Sequence, residues 1–258
     1  MHPKLIELGN FTIFSYGFFL VVAAVLGYFF LSTQARREYN IDSDKISSLL
    51  IWIVAASFVG GKVFFYLENP SQYLDHPARL YTDIGNGFVF YGSLIFSIPI
   101  TIWFVLRNGW PVWGMLDLIG MTIPIIHTVG RLGCLMVGCC HGVPTDSILG
   151  ITFSDPLCQA EPLNTPLHPT QIYSMVMLLA IFLFLFWKKN RKAFDGQIFL
   201  LYVILYSFGR SIIEIFRGDE TRGYVIDGIL SHSQFISLVL ISVVVALYVY
   251  RYRVTRKP

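Results

Sequence analysis

One uncharged stretch decides the fold class: residues 170–187 read TQIYSMVMLLAIFLFLFW. A helix needs about 20 predominantly apolar residues to cross the hydrocarbon of a bilayer, and this run comes close to that length. Comparable runs cover residues 12–31, 46–66, 87–106, 112–129, 196–215 and 234–250. Since lipid cannot hydrogen-bond a free backbone, each run is predicted to be helical. The sequence therefore predicts an all-α, polytopic membrane protein with about seven transmembrane helices.

The composition of the whole chain agrees with this prediction. Apolar residues make up 55% of the 258 residues and charged residues only 14%, which lies outside the usual balance of a soluble domain. No soluble domain and no repeat is evident, so residues 1–258 are predicted to form a single integral membrane domain. The first run is predicted to be retained, because it is too long for a signal peptide and lacks a small-residue cleavage site.

Lysines and arginines predict the orientation, because they favour the cytoplasmic side of a membrane. Those that follow the odd-numbered runs are Arg36, Arg37, Lys45, Arg107, Lys188, Lys189, Arg191, Lys192, Arg251, Arg253, Arg256 and Lys257. Those on the opposite side are only Lys4, Arg79, Arg217 and Arg222. The N-terminus is therefore predicted outside and the C-terminus in the cytoplasm, with residues 130–169 as the one sizeable external segment. The net charge of +3 follows from this topology and does not suggest nucleic acid as a partner.

The sixth run carries charge at membrane depth. Tyr206, Arg210, Glu214 and Arg217 recur at helical spacing and are predicted to share one face. An arginine at this depth costs at least about 2.5–3.5 kcal/mol, so it needs a reason. One reason is a self-neutralising pair of Arg210 and Glu214. The second arginine leaves a net positive face, however, and this face suits a phosphate group.

A further arginine lies in the segment Gly130-Arg131-Leu132-Gly133. Glycines on both sides of Arg131 permit a close backbone approach, as a headgroup-binding segment requires. The alternative is a single interfacial arginine whose head extends to water.

The predicted external segment holds every cysteine of the chain: Cys134, Cys139, Cys140 and Cys158. The favoured interpretation is a disulfide, for instance between Cys158 and one of the other three, or simple packing of small residues. The spacing fits no familiar paired zinc pattern, and no Cys-x-x-Cys redox pair is present. We expect no metal and no cofactor. Thr170 is predicted to cap the fifth helix.

Several motifs in register resemble the bacterial phosphatidylglycerol:prolipoprotein diacylglyceryl transferase family. Residues 130–142, GRLGCLMVGCCHG, are similar to its signature segment. The sequence His168-Pro169-Thr170-Gln171-Ile172-Tyr173 is similar to its His-Pro-[Ser/Thr]-Gln-Leu-Tyr motif. Further similarities lie at Ser15-Tyr16-Gly17, at the stripe from Tyr206 to Arg217, and at Ser231 and Gln234.

The resemblance implies a reaction. The diacylglyceryl group of phosphatidylglycerol would pass to the lipobox cysteine thiol in the signal peptide of a prolipoprotein, forming a thioether and releasing glycerol phosphate. The enzyme would be a multi-pass protein of the bacterial plasma (inner) membrane, in contact with membrane lipids. Its phospholipid-binding residues would be Arg131, Gly130, Gly133, Gly142, Tyr16, Tyr206 and Arg217.

The resemblance also implies catalytic and supporting residues. Arg210 would stabilise the departing phosphate, and Glu214 would orient Arg210. The supporting residues would be His168, Gln171 and Tyr173. Tyr91 lies where many members have the histidine of His-Gly-Gly-Leu-Ile, a candidate base for the thiol, so it is a catalytic candidate. With a pKa near 10, tyrosine is a poor base, and the base could lie elsewhere, at His141 or His168.

Other departures from the signature concern the cysteines. The family's usual asparagine is replaced by Cys134 and its usual glutamate by Cys139, while Ser174 replaces a frequent glutamate. These changes resemble a cysteine-containing, transferase-like branch. Two alternatives follow: an enzyme with the same phospholipid donor and a different acceptor, and a non-catalytic lipid-binding membrane protein.

Overall fold

The computed structural model describes residues 1–8, 11–68, 70–85, 87–217, 224–226 and 230–255. The helices within these ranges are, in chain order, α1 (Ser15–Tyr39), α2 (Ser43–Glu68), α3 (Pro70–Asp75), α4 (Arg79–Thr82), α5 (Phe90–Arg107), α6 (Val112–Val137), α7 (Thr170–Lys188), α8 (Gln197–Glu214) and α9 (His232–Thr255). All except α3 and α4 are long and apolar enough to span a membrane. The prediction of an all-α protein with seven transmembrane helices is confirmed, while its orientation stays a prediction. Arg222, Arg256 and Lys257 lie outside the described residues.

Short antiparallel strand pairs lie before α1, between α6 and α7, and between α8 and α9. They are built from β1 (Lys4–Leu8) and β2 (Phe11–Phe14), β3 (Ile151–Thr152) and β4 (Pro166–Leu167), and β5 (Tyr224–Ile226) and β6 (Leu230–Ser231). Strand β2 includes residues 12–14, so the first predicted span starts too early and its helix begins at Ser15.

The fourth predicted span ends too early, because α6 continues to Val137. The looped segment predicted to begin at residue 130 therefore begins after the helix, at Gly138. Gly133 does not break α6, since one glycine inside a helix costs only about 1 kcal/mol. As a result, Arg131 and Cys134 belong to a helix rather than to a loop.

The chain divides into two compact units, one of residues 31–115 and the other of residues 1–30 and 116–258. In the first unit, α2 and α5 pack closely where Gly60 faces Gly92, and a Cβ atom on either glycine would collide with the other's carbonyl oxygen. Small residues at such contacts let transmembrane helices approach each other. Ser93 Oγ adds a hydrogen bond of 2.9 Å to the carbonyl oxygen of Ser57.

In the second unit, a buried carboxylate anchors the start of α8. Asp117 of α6 accepts hydrogen bonds from the backbone N–H groups of Gly196, Ile198 and Phe199 at 2.9, 2.9 and 3.1 Å. Its Oδ2 also lies 3.1 Å from Lys192 Nζ. A helix N-terminus has unpaired N–H groups and a partial positive charge, both of which this carboxylate satisfies. The contact fixes α8, the helix with the charged stripe, against α6.

Candidate functional site

The stripe predicted on the sixth span lies along α8 and the turn after it. Arg210 forms an ion pair with Glu214, and the side chains are only 12% and 9% exposed. Tyr206 and Arg217 lie within electrostatic range of Arg210. The predicted Arg210–Glu214 pair is therefore present, and Arg217 lies close to it as the second arginine of the stripe.

The start of α9 holds Glu214 in place. Ser231 Oγ donates a hydrogen bond of 3.3 Å to Glu214 Oε1. The same hydroxyl accepts the N–H of Gln234 at 3.2 Å, while Gln234 Oε1 accepts the N–H of Ser231 at 3.1 Å. This reciprocal pair is a capping box. The cap of one helix thereby orients the carboxylate of another.

Arg131 joins the α8 stripe through a histidine. Its Nε donates a hydrogen bond of 3.2 Å to His127 Nε2, one helical turn earlier on α6. The His127 ring packs against Tyr206, with 5.6 Å between the ring centroids. Arg210 also lies within electrostatic range of His127. The structure thus brings together the two predicted arginine centres, Arg131 and Arg210.

The signature segment turns sharply after α6 and returns to the stripe. Gly142 donates its N–H to the His168 carbonyl at 2.8 Å and forms a β-bridge with Arg217. A Cβ atom at Gly142 would lie 2.7 Å from His168 Cβ and would also strike the Phe216 carbonyl oxygen. Only glycine fits here, and its backbone holds Arg217 beside the signature segment.

Two side chains at the start of α7 form hydrogen bonds with the signature segment. Thr170 Oγ1 donates to the Cys140 carbonyl at 2.5 Å, and Gln171 Nε2 donates to the Cys139 carbonyl at 2.7 Å. The prediction that Thr170 caps α7 is wrong, because its hydroxyl bonds to the signature segment and Pro169 holds the cap position. His168 Nδ1 and the Tyr173 hydroxyl are 3.1 Å apart, so these two residues brace the motif.

The four cysteines, all of them in the described ranges, are free thiols. The predicted disulfide is absent, because Cys158 packs in an apolar cluster with Leu135, Phe153, Ala160 and Leu167. The packing alternative describes Cys158 correctly.

The other three cysteines gather instead: the Sγ atoms of Cys134, Cys139 and Cys140 lie within 4.8 Å of one another. Hydrogen bonds from Cys134 and Cys139, followed by the charges of Arg217 and Arg131, hold the pKa of Cys140 well below its ordinary value. Hydrogen bonds with Cys134 and Cys140 raise the pKa of Cys139.

A cleft of about 410 Å³ opens beside this cluster, with Tyr16 and Cys139 in its wall together with Phe14, Val137 and Leu157. Such a volume is typical of ligand sites. Gly133 lets α1 approach α6, since a Cβ atom there would lie 3.2 Å from Phe19 Cβ and 3.4 Å from the Tyr16 ring. Gly130 differs, because a Cβ atom there would meet nothing within 4 Å.

The three candidate bases for the thiol, Tyr91, His141 and His168, differ in exposure and in hydrogen bonding. Tyr91 lies in the first turn of α5, in the unit of residues 31–115, and is 62% exposed. His141 has both ring nitrogens engaged: Nδ1 is 2.9 Å from the Gly142 carbonyl oxygen, and Nε2 accepts the N–H of Glu161 at 3.3 Å. A histidine bound in this way is a structural element of the loop. His168 is similarly engaged with Tyr173.

Sequence reasoning missed two contacts of this site. The contact of His127 with Arg131 was not predicted, although their spacing of four residues was the available signal. Ser231 and Gln234 have the Ser-x-x-Gln spacing of a capping box, which predicts a helix start. Nothing in the sequence indicates that the serine also contacts Glu214.

Fold and site together define a multi-pass membrane protein with a partly buried, arginine-rich site in one helical unit. The family model for prolipoprotein diacylglyceryl transferase matches residues 3–250. The chain therefore belongs to this family of membrane enzymes, as the motifs indicated.

Named relatives agree with this membership. The phosphatidylglycerol–prolipoprotein diacylglyceryl transferase of Clostridium tetani is 35% identical over 251 residues, which cover 97% of both chains. The protein named phosphatidylglycerol–prolipoprotein diacylglyceryl transferase 2 of Clostridium perfringens is 36% identical, over 94% of this chain and 92% of its own. The transferase of Ligilactobacillus salivarius is 31% identical over 98% of this chain and 94% of its own.

Proposed function

We propose that this protein transfers the diacylglyceryl group of phosphatidylglycerol to the lipobox cysteine thiol in the signal peptide of a prolipoprotein. The thiol sulfur forms a thioether with the glyceryl carbon, and the bond from that carbon to the phosphate oxygen breaks. Glycerol phosphate leaves with the electron pair, and the proton of the thiol is released. The names of the relatives support the choice of both substrates.

One observation carries the proposal: Arg131, Arg210 and Arg217 converge in one unit, where Arg210 is ion-paired with Glu214. The three guanidinium groups supply positive charge to an anionic ligand. The planar fork of a guanidinium group matches phosphate oxygens. An anionic phosphoglycerol headgroup therefore suits this site, and its acyl chains would lie among the apolar helices.

The proposed roles follow from the contacts. Arg131, oriented by His127, binds the headgroup. Arg210 stabilises the negative charge that develops on the departing phosphate, and the partly buried setting strengthens this interaction. Glu214 positions Arg210, while Tyr206 and Tyr16 line the site.

The glycines have a positional role in the same proposal. Gly142 keeps Arg217 against the signature segment, Gly133 lets α1 bring Tyr16 close, and Gly130 leaves room beside Arg131. His168, Gln171 and Tyr173 support the segment from the start of α7. Tyr91 stays a catalytic candidate by its position in the sequence motif alone.

We place the reaction at the outer face of a bacterial inner membrane. The distribution of basic residues supports this orientation, because most lysines and arginines lie at the opposite ends of the helices, which favour the cytoplasm. Prolipoproteins reach that face with their signal peptide still in the membrane, so both substrates would meet there.

The test is complementation of a bacterial strain depleted of its own transferase, with lipoprotein and phospholipid products identified by mass spectrometry. We expect the full chain to restore growth and to yield diacylglyceryl-modified prolipoprotein. Arg210→Ala should lower the rate roughly 100–1000-fold, as for the loss of one preorganised donor at a developing charge. Arg79→Ala is the matched control, since Arg79 is an exposed arginine of α4.

The products separate the alternatives. Consumption of phosphatidylglycerol with unmodified prolipoprotein would indicate a different acceptor. Binding of phosphatidylglycerol without its consumption would indicate a non-catalytic protein. Full activity of Arg210→Ala would overturn the role of Arg210.

A further inference from the structure

Three cysteines of the signature segment lie close together in the structure, although their spacing in the sequence matches no familiar metal-binding motif. The Sγ atoms of Cys134, Cys139 and Cys140 lie within 4.8 Å of one another. In a tetrahedral thiolate site with bonds of about 2.3 Å, neighbouring sulfur atoms are about 3.8 Å apart. Small side-chain rotations would therefore bring all three sulfur atoms onto one soft cation.

The backbone is shaped to produce this cluster. Neighbouring side chains of an extended chain point in opposite directions, which would separate Cys139 from Cys140. Here Cys140 has a φ of 61° and Gly138 a φ of 78°. A left-handed conformation is unfavourable at a residue with a side chain. The bonds from Thr170 and Gln171 to the carbonyls of Cys140 and Cys139 hold the segment in that shape.

A second feature beside the cluster also indicates a ligand. Gln171 is fully buried, and its Nε2 is bonded to Cys139. Its Oε1 has no hydrogen-bond partner among the described residues. A buried acceptor left unsatisfied costs about 1–3 kcal/mol, so a donor such as a coordinated water would complete the site.

The surrounding charge fits a thiolate site. Three thiolates around a divalent cation carry a net charge of −1, and Arg131 and Arg217 both lie within electrostatic range of Cys140. The positive charges of these arginines therefore balance the negative charge of the occupied site. Thiolate sulfur is also the donor that selects zinc-type cations over hard ones.

We propose that Cys134, Cys139 and Cys140 form a three-thiolate site for a soft divalent cation of the zinc type, whose open fourth position binds the acceptor thiol. Three protein ligands with one open position is the arrangement of catalytic rather than structural zinc sites. The cleft that reaches Cys139 gives access to this position. Metal binding stands independently of the transfer reaction, whereas the use of the fourth position rests on the proposed function.

Coordination supplies the activation that the transfer needs. A thiol bound to such a cation loses its proton to water at neutral pH. Its sulfur lone pair then forms the bond to the glyceryl carbon, and the electrons of the carbon–oxygen bond leave with the phosphate. The resulting thioether is a weaker ligand than a thiolate, so the product can dissociate. No side-chain base is required at the position of Tyr91.

The metal site is tested on the full chain purified in detergent, with Zn²⁺ supplied and the excess removed. Mass spectrometry of the metal should find about one zinc per chain, as expected for a tight thiolate site. The double variant Cys139→Ser/Cys140→Ser should bind at least tenfold less zinc per chain. Cys158→Ser, which changes the cysteine of the apolar cluster, should bind as much zinc as the wild type. Equal zinc in the double variant and the wild type would overturn the site, as would a wild type without zinc.

Further measurements distinguish loss of zinc binding from loss of folding and from loss of transfer activity. Thermal unfolding of the double variant without metal should match that of metal-free wild type, since serine is nearly isosteric with cysteine. Protection from alkylation reports the fold independently: zinc should protect three of the four thiols of the wild type. Arg210→Ala should keep its zinc while losing transfer, so loss of activity alone cannot be mistaken for loss of metal.

The open position is tested with Co²⁺ as the probe. A synthetic peptide with an apolar segment followed by a lipobox cysteine should raise the thiolate-to-Co²⁺ absorption by about one third, since a fourth thiolate joins three. The same peptide with serine in place of that cysteine should leave the spectrum unchanged. A spectrum unaffected by the cysteine peptide would overturn the role of the fourth position.

Discussion

Ser231 and Glu214 are joined by a hydrogen bond of 3.3 Å from the serine hydroxyl to Oε1. The other carboxylate oxygen, Oε2, pairs with Arg210. Ser231, the residue before α9, therefore helps to position the arginine proposed to act on the departing phosphate, so the start of α9 contributes to the site.

Ser231→Ala should lower kcat about 10-fold, because a hydrogen bond to a charged group contributes roughly 1.5–3 kcal/mol. Ser231→Thr keeps the hydroxyl and should recover most of the rate. The measurement is the transfer rate on labelled phosphatidylglycerol at saturating prolipoprotein, per folded protein. Ser242→Ala is the control, because the Ser242 hydroxyl bonds only within α9, to the Leu238 carbonyl. An unchanged kcat in Ser231→Ala would show that Glu214 needs no second partner.

Gly142→Ala should lower both the melting temperature and the transfer rate, the latter more than 10-fold. The added methyl group would strike the Phe216 carbonyl oxygen and lie 2.7 Å from His168 Cβ, and overpacking of this kind costs about 1–3 kcal/mol. It would also move Arg217 away from the signature segment.

Gly130→Ala is the matched comparison for Gly142→Ala, because a Cβ atom there meets nothing within 4 Å. Its melting temperature should equal or exceed that of the wild type, since alanine is the better helix former. A higher KM for phosphatidylglycerol in this variant would place the lipid in the open space beside Arg131. Equal melting temperatures for Gly142→Ala and the wild type would contradict the packing argument.

Asp117→Ala should lower the free energy of unfolding by at least about 1–3 kcal/mol, the cost of a buried donor without an acceptor, because three backbone N–H groups at the start of α8 lose Asp117. Lys192 keeps its ion pair with Asp195. Asp117→Asn keeps one oxygen acceptor for the backbone N–H groups and should cost less. Denaturation in mild detergent, monitored by circular dichroism, measures the free energy of unfolding of both variants. Asp146→Ala, at an exposed aspartate, should change nothing, and a similar loss in both variants would rule out the anchoring role.

The membrane helices were predictable because their signal is local. About 20 apolar residues in a row suffice to predict a span, and the stripe from Tyr206 to Arg217 follows from helical spacing alone. The errors lie at the boundaries. Residues 12–14 are apolar enough for a span yet pair as a strand, and α6 continues to Val137 through two glycines because its packing overrides their low helix propensity.

The rest of the site depends on tertiary contacts that no local pattern encodes. The bond of Ser231 to Glu214 joins residues 17 positions apart. The gathering of Cys134, Cys139 and Cys140 requires a left-handed residue, Cys140, which only the contacts from α7 hold in place. For the same reason the sequence favoured a disulfide to Cys158, since spacing cannot reveal that Cys158 lies in a separate apolar cluster.

Tyr91→Phe should leave the transfer rate within about threefold of the wild type, whereas Cys140→Ser should lower it at least 100-fold, the scale of losing a preorganised catalytic charge. The reason is that thiol activation is assigned to the cation bound by the cysteines and not to Tyr91. A tyrosine hydroxyl is a poor proton acceptor, while a thiol bound to a zinc-type cation needs no side-chain base. Single-turnover transfer to a lipobox peptide, measured with zinc present and with zinc chelated, compares the two variants. A large loss in Tyr91→Phe together with normal activity of Cys140→Ser would assign thiol activation to the tyrosine and remove the metal from the reaction.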